Sequence, residues 1–196
     1  MVKNILILTL TGIIITGCEN KKSIKTPPET SIQKNDFFPV TQYLQGQLRE
    51  MDSLPITPLK ITTLNGISDS VWLKKKDIRL FALPFLVPVI DSAQMHNYFS
   101  EKSFLDQTIN AFTFSFDPLN QLPDSMEIKR WDIYIDPGNS KVKRIFIVKQ
   151  LNKFKTPQII QLIWKSGYYC QITTITEKND TPPEIKQEKL IWNFND

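Results

Sequence analysis

An α+β fold is what this chain predicts: a curved antiparallel meander of about six to eight strands, with an N-terminal amphipathic helix and one or two short helices packed on one face. Three observations carry that expectation. Phe37, Val40, Leu44, Leu48, Met51 and Leu54 recur three or four residues apart, the spacing of one helix face. From Phe112 onward, apolar and polar residues alternate in short segments punctuated by Asp-Pro, Gly and Pro-Pro, the pattern of strands. The connections between those segments are too short for crossover helices, so neighbouring strands must run antiparallel.

The chain begins with Met1-Val2-Lys3, an almost unbroken apolar run from Ile5 to Ile15, and Ile15-Thr16-Gly17-Cys18, where a small residue stands directly before a cysteine. A membrane-crossing helix needs ~20 apolar residues, about twice what this run offers. These residues resemble a bacterial lipoprotein signal peptide; a plain secretory peptide would fit the length but would not require the cysteine. The resemblance implies cleavage before Cys18, diacylation of the Cys18 sulfur and a mature protein held to a membrane by lipid. In export systems of that kind an aspartate after the cysteine retains the protein at the inner membrane. Here Glu19 is followed by Asn20, Lys21 and Lys22, so the expected address is the outer membrane, facing the periplasm.

Domain organisation follows as signal peptide (1–17), lipidated cysteine and flexible tether (18–36), and a single globular domain (37–196). In the tether, Ile24 and Ile32 are too isolated among polar residues and Pro27-Pro28 to offset the entropy of ordering it. For the helix that follows, Asp36 is a candidate N-cap, Pro39 is tolerable in the first turn, and Pro55 ends it. Leu59–Leu64 and Val71–Leu73 read as strands joined through Asn65-Gly66, whose residues tolerate positive φ. Leu80–Ile90 is apolar but broken by Pro84 and Pro88, which predicts a short helix starting near either proline. Ser92 reads as the cap of a second short helix carrying Met95, Tyr98 and Phe99.

The remaining strands are expected at Phe112–Phe116, Trp131–Ile135, Val142–Leu151, Gln158–Trp164, Tyr168–Thr176 and Ile185–Phe194. Val142, Phe146 and Val148 oppose Ile145, Ile147 and Leu151, and Ile160, Leu162 and Trp164 oppose Ile159 and Ile163. Both faces of the middle sheet are therefore apolar. The helices cover one; curvature closes the other as a half-barrel, filled by side chains or holding a ligand. At this coarse level the plan is similar to lipoprotein-carrier and lipid-binding envelope lipoproteins, a likeness of architecture with no residue motif behind it.

Little in the sequence speaks for catalysis. The single histidine, His96, has Asp91, Ser92 and Glu101 near it, yet sequence adjacency does not make a triad; a surface or capping role is expected. There is no Gly-rich phosphate loop, nucleophile elbow, Cys-x-x-Cys or calcium loop, so no cofactor or metal site is expected. Asp132 and Asp136 lie ~13 Å apart along one strand, too far for paired carboxylate chemistry. Asp132 beside Trp131 reads as an outward polar residue next to a core aromatic. With Cys18 lipidated, Cys170 has no disulfide partner and reads as a small buried hydrophobe.

Formal net charge is +4, and the basic runs Lys21-Lys22, Lys74–Lys76 and Lys141-Lys143-Arg144 are interspersed with acids. They read as solvated surface, without the helices or aromatic motifs of nucleic-acid binders. The expected function is a lipid-anchored, non-enzymatic envelope protein that binds or scaffolds a partner. The alternative is a carrier of a lipophilic ligand inside the curved sheet, with Phe81–Ile90 at its mouth.

Overall fold

Among the described residues, nine strands form one open antiparallel sheet. The computed structural model describes residues 37–90, 95–152, 156–178 and 181–195. The signal peptide, Cys18, the tether and the Asp36 cap lie outside them, as do Asp91 and Ser92. In chain order the elements are helix α1 (Val40–Ser53), strands β1 (Leu59–Leu64) and β2 (Ile67–Trp72), helix α2 (Ile78–Leu86), then β3 (Phe99–Asp106), β4 (Ala111–Pro118), β5 (Ile128–Ile135), β6 (Val142–Leu151), β7 (Gln158–Lys165), β8 (Tyr169–Lys178) and β9 (Thr181–Ile191). Their order across the sheet is β2-β1-β9-β8-β7-β6-β5-β4-β3.

The strand count exceeds the expected six to eight because β3 has no legible alternation. Its residues Glu101 to Leu105 are exposed along the sheet's edge, so no buried face imposes period two on them. Phe99, expected on a helix, opens this strand and is buried; Met95 is helical and residues 96–98 form a turn, while Ser92 itself lies outside the described residues. The hairpin at Asn65-Gly66 forms with φ of 47° and 90° at its two turn residues, and β2 begins at Ile67 rather than Val71. A tight turn at Gly167, φ 80°, links β7 and β8.

Helix α2 corrects a second expectation. It starts at Ile78 and carries Pro84 inside it, not at its first turn. Burial selects this arrangement: Ile78, Ala82 and Phe85, spaced by three or four residues, all enter the core. The proline's loss of one N–H is tolerated near the end of so short a helix.

The core lies between the helices and one sheet face. Val40, Leu44, Leu48 and Met51 of α1 and the buried residues of α2 share one cluster with Trp131, Ile133, Ile145, Ile147, Leu162, Trp164, Cys170 and Leu190. Trp131 stacks on Phe116 with centroids 4.6 Å apart and 7° between planes, and meets Phe99 edge-on at 4.7 Å. Phe85 meets Trp164 edge-on at 5.4 Å. This face is filled. Ala82, Phe85 and Ile90 are buried in it, while Leu83, Val87 and Val89 of the same run stay exposed.

Candidate functional site

Because directly opposed residues share a face, strand register alone defines what the helix-free face presents. One transverse row crosses every strand. From β3 it runs Phe104, Thr113, Tyr134, Arg144 and Lys165. It continues through Tyr169, Ile191, Leu59 and Trp72 to the other edge. Aromatics stand at both edges, and two cations stand directly opposite each other at the centre.

Like charges directly opposed across an antiparallel pair are destabilising, so aromatic rings carry part of the load at Arg144 and Lys165. The Arg144 guanidinium lies 4.0 Å from the Tyr134 ring centroid. Lys165 Nζ lies 4.8 Å from the Tyr168 ring and 5.8 Å from that of Tyr169, whose ring also receives Lys189 Nζ at 4.0 Å. Lys143 Nζ donates to the carbonyls of Ile109 and Asn110 at 3.2 and 3.3 Å, holding the β3–β4 turn against β6. A cavity of about 170 Å³ opens among Ile109, Tyr134, Lys143, Arg144, Lys165 and Tyr169. Asp106 sits beside it; the Thr108 hydroxyl and, to a lesser extent, Arg144 hold its carboxyl below the usual range. Burial raises the Tyr134 phenol, with Asp132 adding to the effect, so Tyr134 stays neutral beside the guanidinium.

A second, charge-balanced network occupies the same face nearer β3. Asp132 accepts from Arg130 at 3.2 Å; Arg130 reaches Asp117 at 3.7 Å, and Asp117 pairs with Lys102 at 3.1 Å. Asp132 lies, as an outward polar residue would, on the face opposite Trp131, yet at 2% exposure it is buried, because Arg130 pairs with it there. Trp131 is fully buried on the opposite face. Asp136 is not brought to Asp132; its Oδ1 accepts from the Gly138 N–H and shapes the β5–β6 turn.

His96 is half-buried: its ring packs on Phe37 at 3.8 Å, and its Nε2 atom is buried with no hydrogen-bond partner among the described residues. Glu101 is exposed on β3. Cys170 is fully buried, and burial pushes its thiol well above the usual range. Among the described residues, no group of three or more His, Cys, Asp or Glu side chains is placed to hold a metal ion.

Sequence reasoning took Lys141-Lys143-Arg144 for solvated surface and missed Tyr134, Lys165 and Tyr169 altogether. The available signal was the aromatic doublet Tyr168-Tyr169 just after Lys165 across a tight turn, which forces cation and ring together. No protein-family model, curated protein or solved structure matches the chain.

Proposed function

We propose that the chain is a lipid-anchored protein of the bacterial envelope, attached through Cys18 at the outer membrane and facing the periplasm, that works by binding and not by catalysis. The helix-free sheet face is its binding surface. The cleft of about 170 Å³ on this face carries the reading: Tyr134, Arg144 and Tyr169 line a recess in which two rings and a guanidinium stand half-open.

The test is photo-crosslinking in intact cells, with a photoreactive residue replacing Gln171 on the helix-free face or exposed Gln45 on α1. Reproducible adducts are expected from position 171 and none from position 45. Adducts confined to position 45, or turnover of an envelope glycan abolished by one side-chain change, would overturn the reading. The anchor is tested separately: Cys18→Ser abolishes incorporation of radiolabelled fatty acid, and continued labelling would remove Cys18 from the proposal.

A second reading, a carrier of a lipophilic ligand, is favoured by Phe146, Val148, Ile159, Ile163 and Ile175. They are half-buried on the helix-free face. Native mass spectrometry of protein extracted from membranes separates the two, since a carrier retains lipid and a scaffold does not.

A further inference from the structure

Helix α2 is apolar on two opposite sides. Ile78, Ala82 and Phe85 enter the core, whereas Leu80, Leu83 and Val87, offset from them by about half a turn, leave 68%, 48% and 61% of their surface open. A surface helix ordinarily turns polar residues to solvent, so an outer apolar stripe marks a contact surface. Exposed Val89, just past the helix, and exposed Leu54, at the end of α1, extend it. The Lys75 ammonium donates to the Leu54 carbonyl at 2.8 Å and Arg79 pairs with Asp52, which brings the end of α1 alongside the start of α2. We propose that this outer face of α2 rests on the surface of an anionic lipid bilayer.

Charge and size select lipid as the occupant. Lys74, Lys75 and Lys76 lead into the helix and Arg79 stands in its first turn; the acids beside them are Asp77 and Asp52, and Arg79 engages the second. Glu188 on the sheet below is closed by Lys60 and Lys186, and Glu127 acts on Lys149 at the helix's other end. The rim is therefore basic, and the stripe it borders is purely aliphatic. Aliphatic side chains edged by lysines match the two layers of a bilayer surface, acyl chains below and anionic phosphates above. Five side chains are few beside the roughly 20–30 residues a side of a standard protein interface, so the patch is too small to hold a protein partner alone. It suits a weak second attachment working with one acyl anchor, and in that respect the inference rests on the lipidated Cys18 proposed above. Because α2 packs on one sheet face with its outer stripe turned from the sheet, this contact leaves the helix-free face directed away from the bilayer.

The experiment uses the full chain extracted from membranes and reconstituted into vesicles, either phosphatidylcholine alone or phosphatidylcholine and phosphatidylglycerol in equal parts. Cys170 is wholly buried, so a fluorophore can be attached at one introduced cysteine, Leu80→Cys, Leu83→Cys or, as control, Ser103→Cys on exposed edge strand β3. Quenching by aqueous iodide reports open label, and quenching by spin-labelled lipid reports label among acyl chains. In the anionic vesicles, labels at 80 and 83 are expected to be quenched by lipid and shielded several-fold from iodide, while the label at 103 stays open to iodide. In phosphatidylcholine alone the shielding is expected to fall, as it is when salt rises from about 0.1 to about 1 M and the screening length drops from ~10 to ~3 Å.

Lys74→Gln and Lys76→Gln, both at exposed positions, are each expected to lower the ratio of docked to open label about fivefold. Thermal unfolding of each variant checks that it folds; should Leu80→Cys fail, Leu83→Cys carries the comparison. Labels at 80 and 83 open to iodide in anionic vesicles would overturn the proposal. So would shielding from iodide without quenching by lipid, which would name a second copy of the chain as the cover, and so would equal shielding in the two kinds of vesicle. Retention of the chain on vesicles alongside any of these would leave the anchor standing and remove only the helix contact. If fatty-acid labelling instead removes Cys18 from the proposal, vesicles added to the unanchored chain read the same labels, and lipid quenching at 80 and 83 supports the contact without the anchor.

Discussion

The two faces of this sheet are built from alternate residues of the same strands, yet they obey different rules. On the helix side, Trp131, Ile145, Leu162 and Trp164 are wholly buried, and aromatic rings stack on one another. On the other side, the neighbouring residues Arg144, Lys165 and Tyr169 remain partly open, and aromatic rings stack on cations. Aromatic side chains serve both faces, but in one they exclude water and in the other they hold charge at the surface. Stability therefore resides on the helix-covered face, and the binding proposed for this protein would fall on the other.

The largest effect comes from breaking the packed face. Trp131 touches Phe116, Phe99 and Phe37 and has no solvent exposure, so Trp131→Ala removes stacked and edge-on contacts and leaves a cavity. Urea unfolding should show a loss of about 3–5 kcal/mol. Binding at the other face should change little in molecules that remain folded.

Lys149 is the exception on the packed face, and it supplies the next largest effect. Its ammonium is buried and donates to the carbonyls of Pro84 and Val87, tying the end of α2 to the sheet. Burial lowers its pKa to about 8, with Glu127 working in the opposite direction. Since the folded value lies below the unfolded one near 10.5, the unfolded chain binds more protons in between. The cost of burying the charge is therefore present in full below pH 8 and relieved as pH rises towards 10.5. Measured against Lys149→Met, the wild-type chain should gain stability between pH 7 and 10, by at most about 3 kcal/mol. A flat difference between the two would show that the two carbonyls fully offset burial.

How much of this was legible depends on what each residue's signal encodes. Strand alternation is a burial signal, so strands touching the core, such as Trp131–Ile135 and Gln158–Trp164, could be read, while edge strand β3 could not. The Asn65-Gly66 turn was legible because its backbone demands positive φ. Pro84 misled, because its penalty in a helix is local and the apolar spacing of Ile78, Ala82 and Phe85 outweighs it. The cationic row was hidden for a different reason: Arg144 lies far in sequence from the Lys165–Tyr169 turn, and only the register of β6 and β7 brings it opposite Lys165. Asp132 shows the same limit, since its neighbour Arg130 covers it by a rotamer that no pattern records.

The smallest expected effect is also the one that separates the faces most cleanly. Replacing Lys165 by Gln removes one of two opposed cations while keeping a long polar side chain in the pair with Tyr169. Two terms then compete. Relief of like-charge repulsion with Arg144 should raise stability by roughly 0.2–1 kcal/mol, and loss of the ammonium above the Tyr168 and Tyr169 rings should lower it by about 0.5–1 kcal/mol at so open a site. Their sum should leave the unfolding midpoint within the range of an ordinary surface change. Salt discriminates further: repulsion between exposed cations is screened over ~10 Å at 0.1 M, so the variant's relative stability should be highest at low ionic strength and fall as salt is added. A residue whose loss barely moves stability but strongly moves binding belongs to the recognition face; a large loss of stability in Lys165→Gln would instead make the opposed pair part of the fold's own architecture.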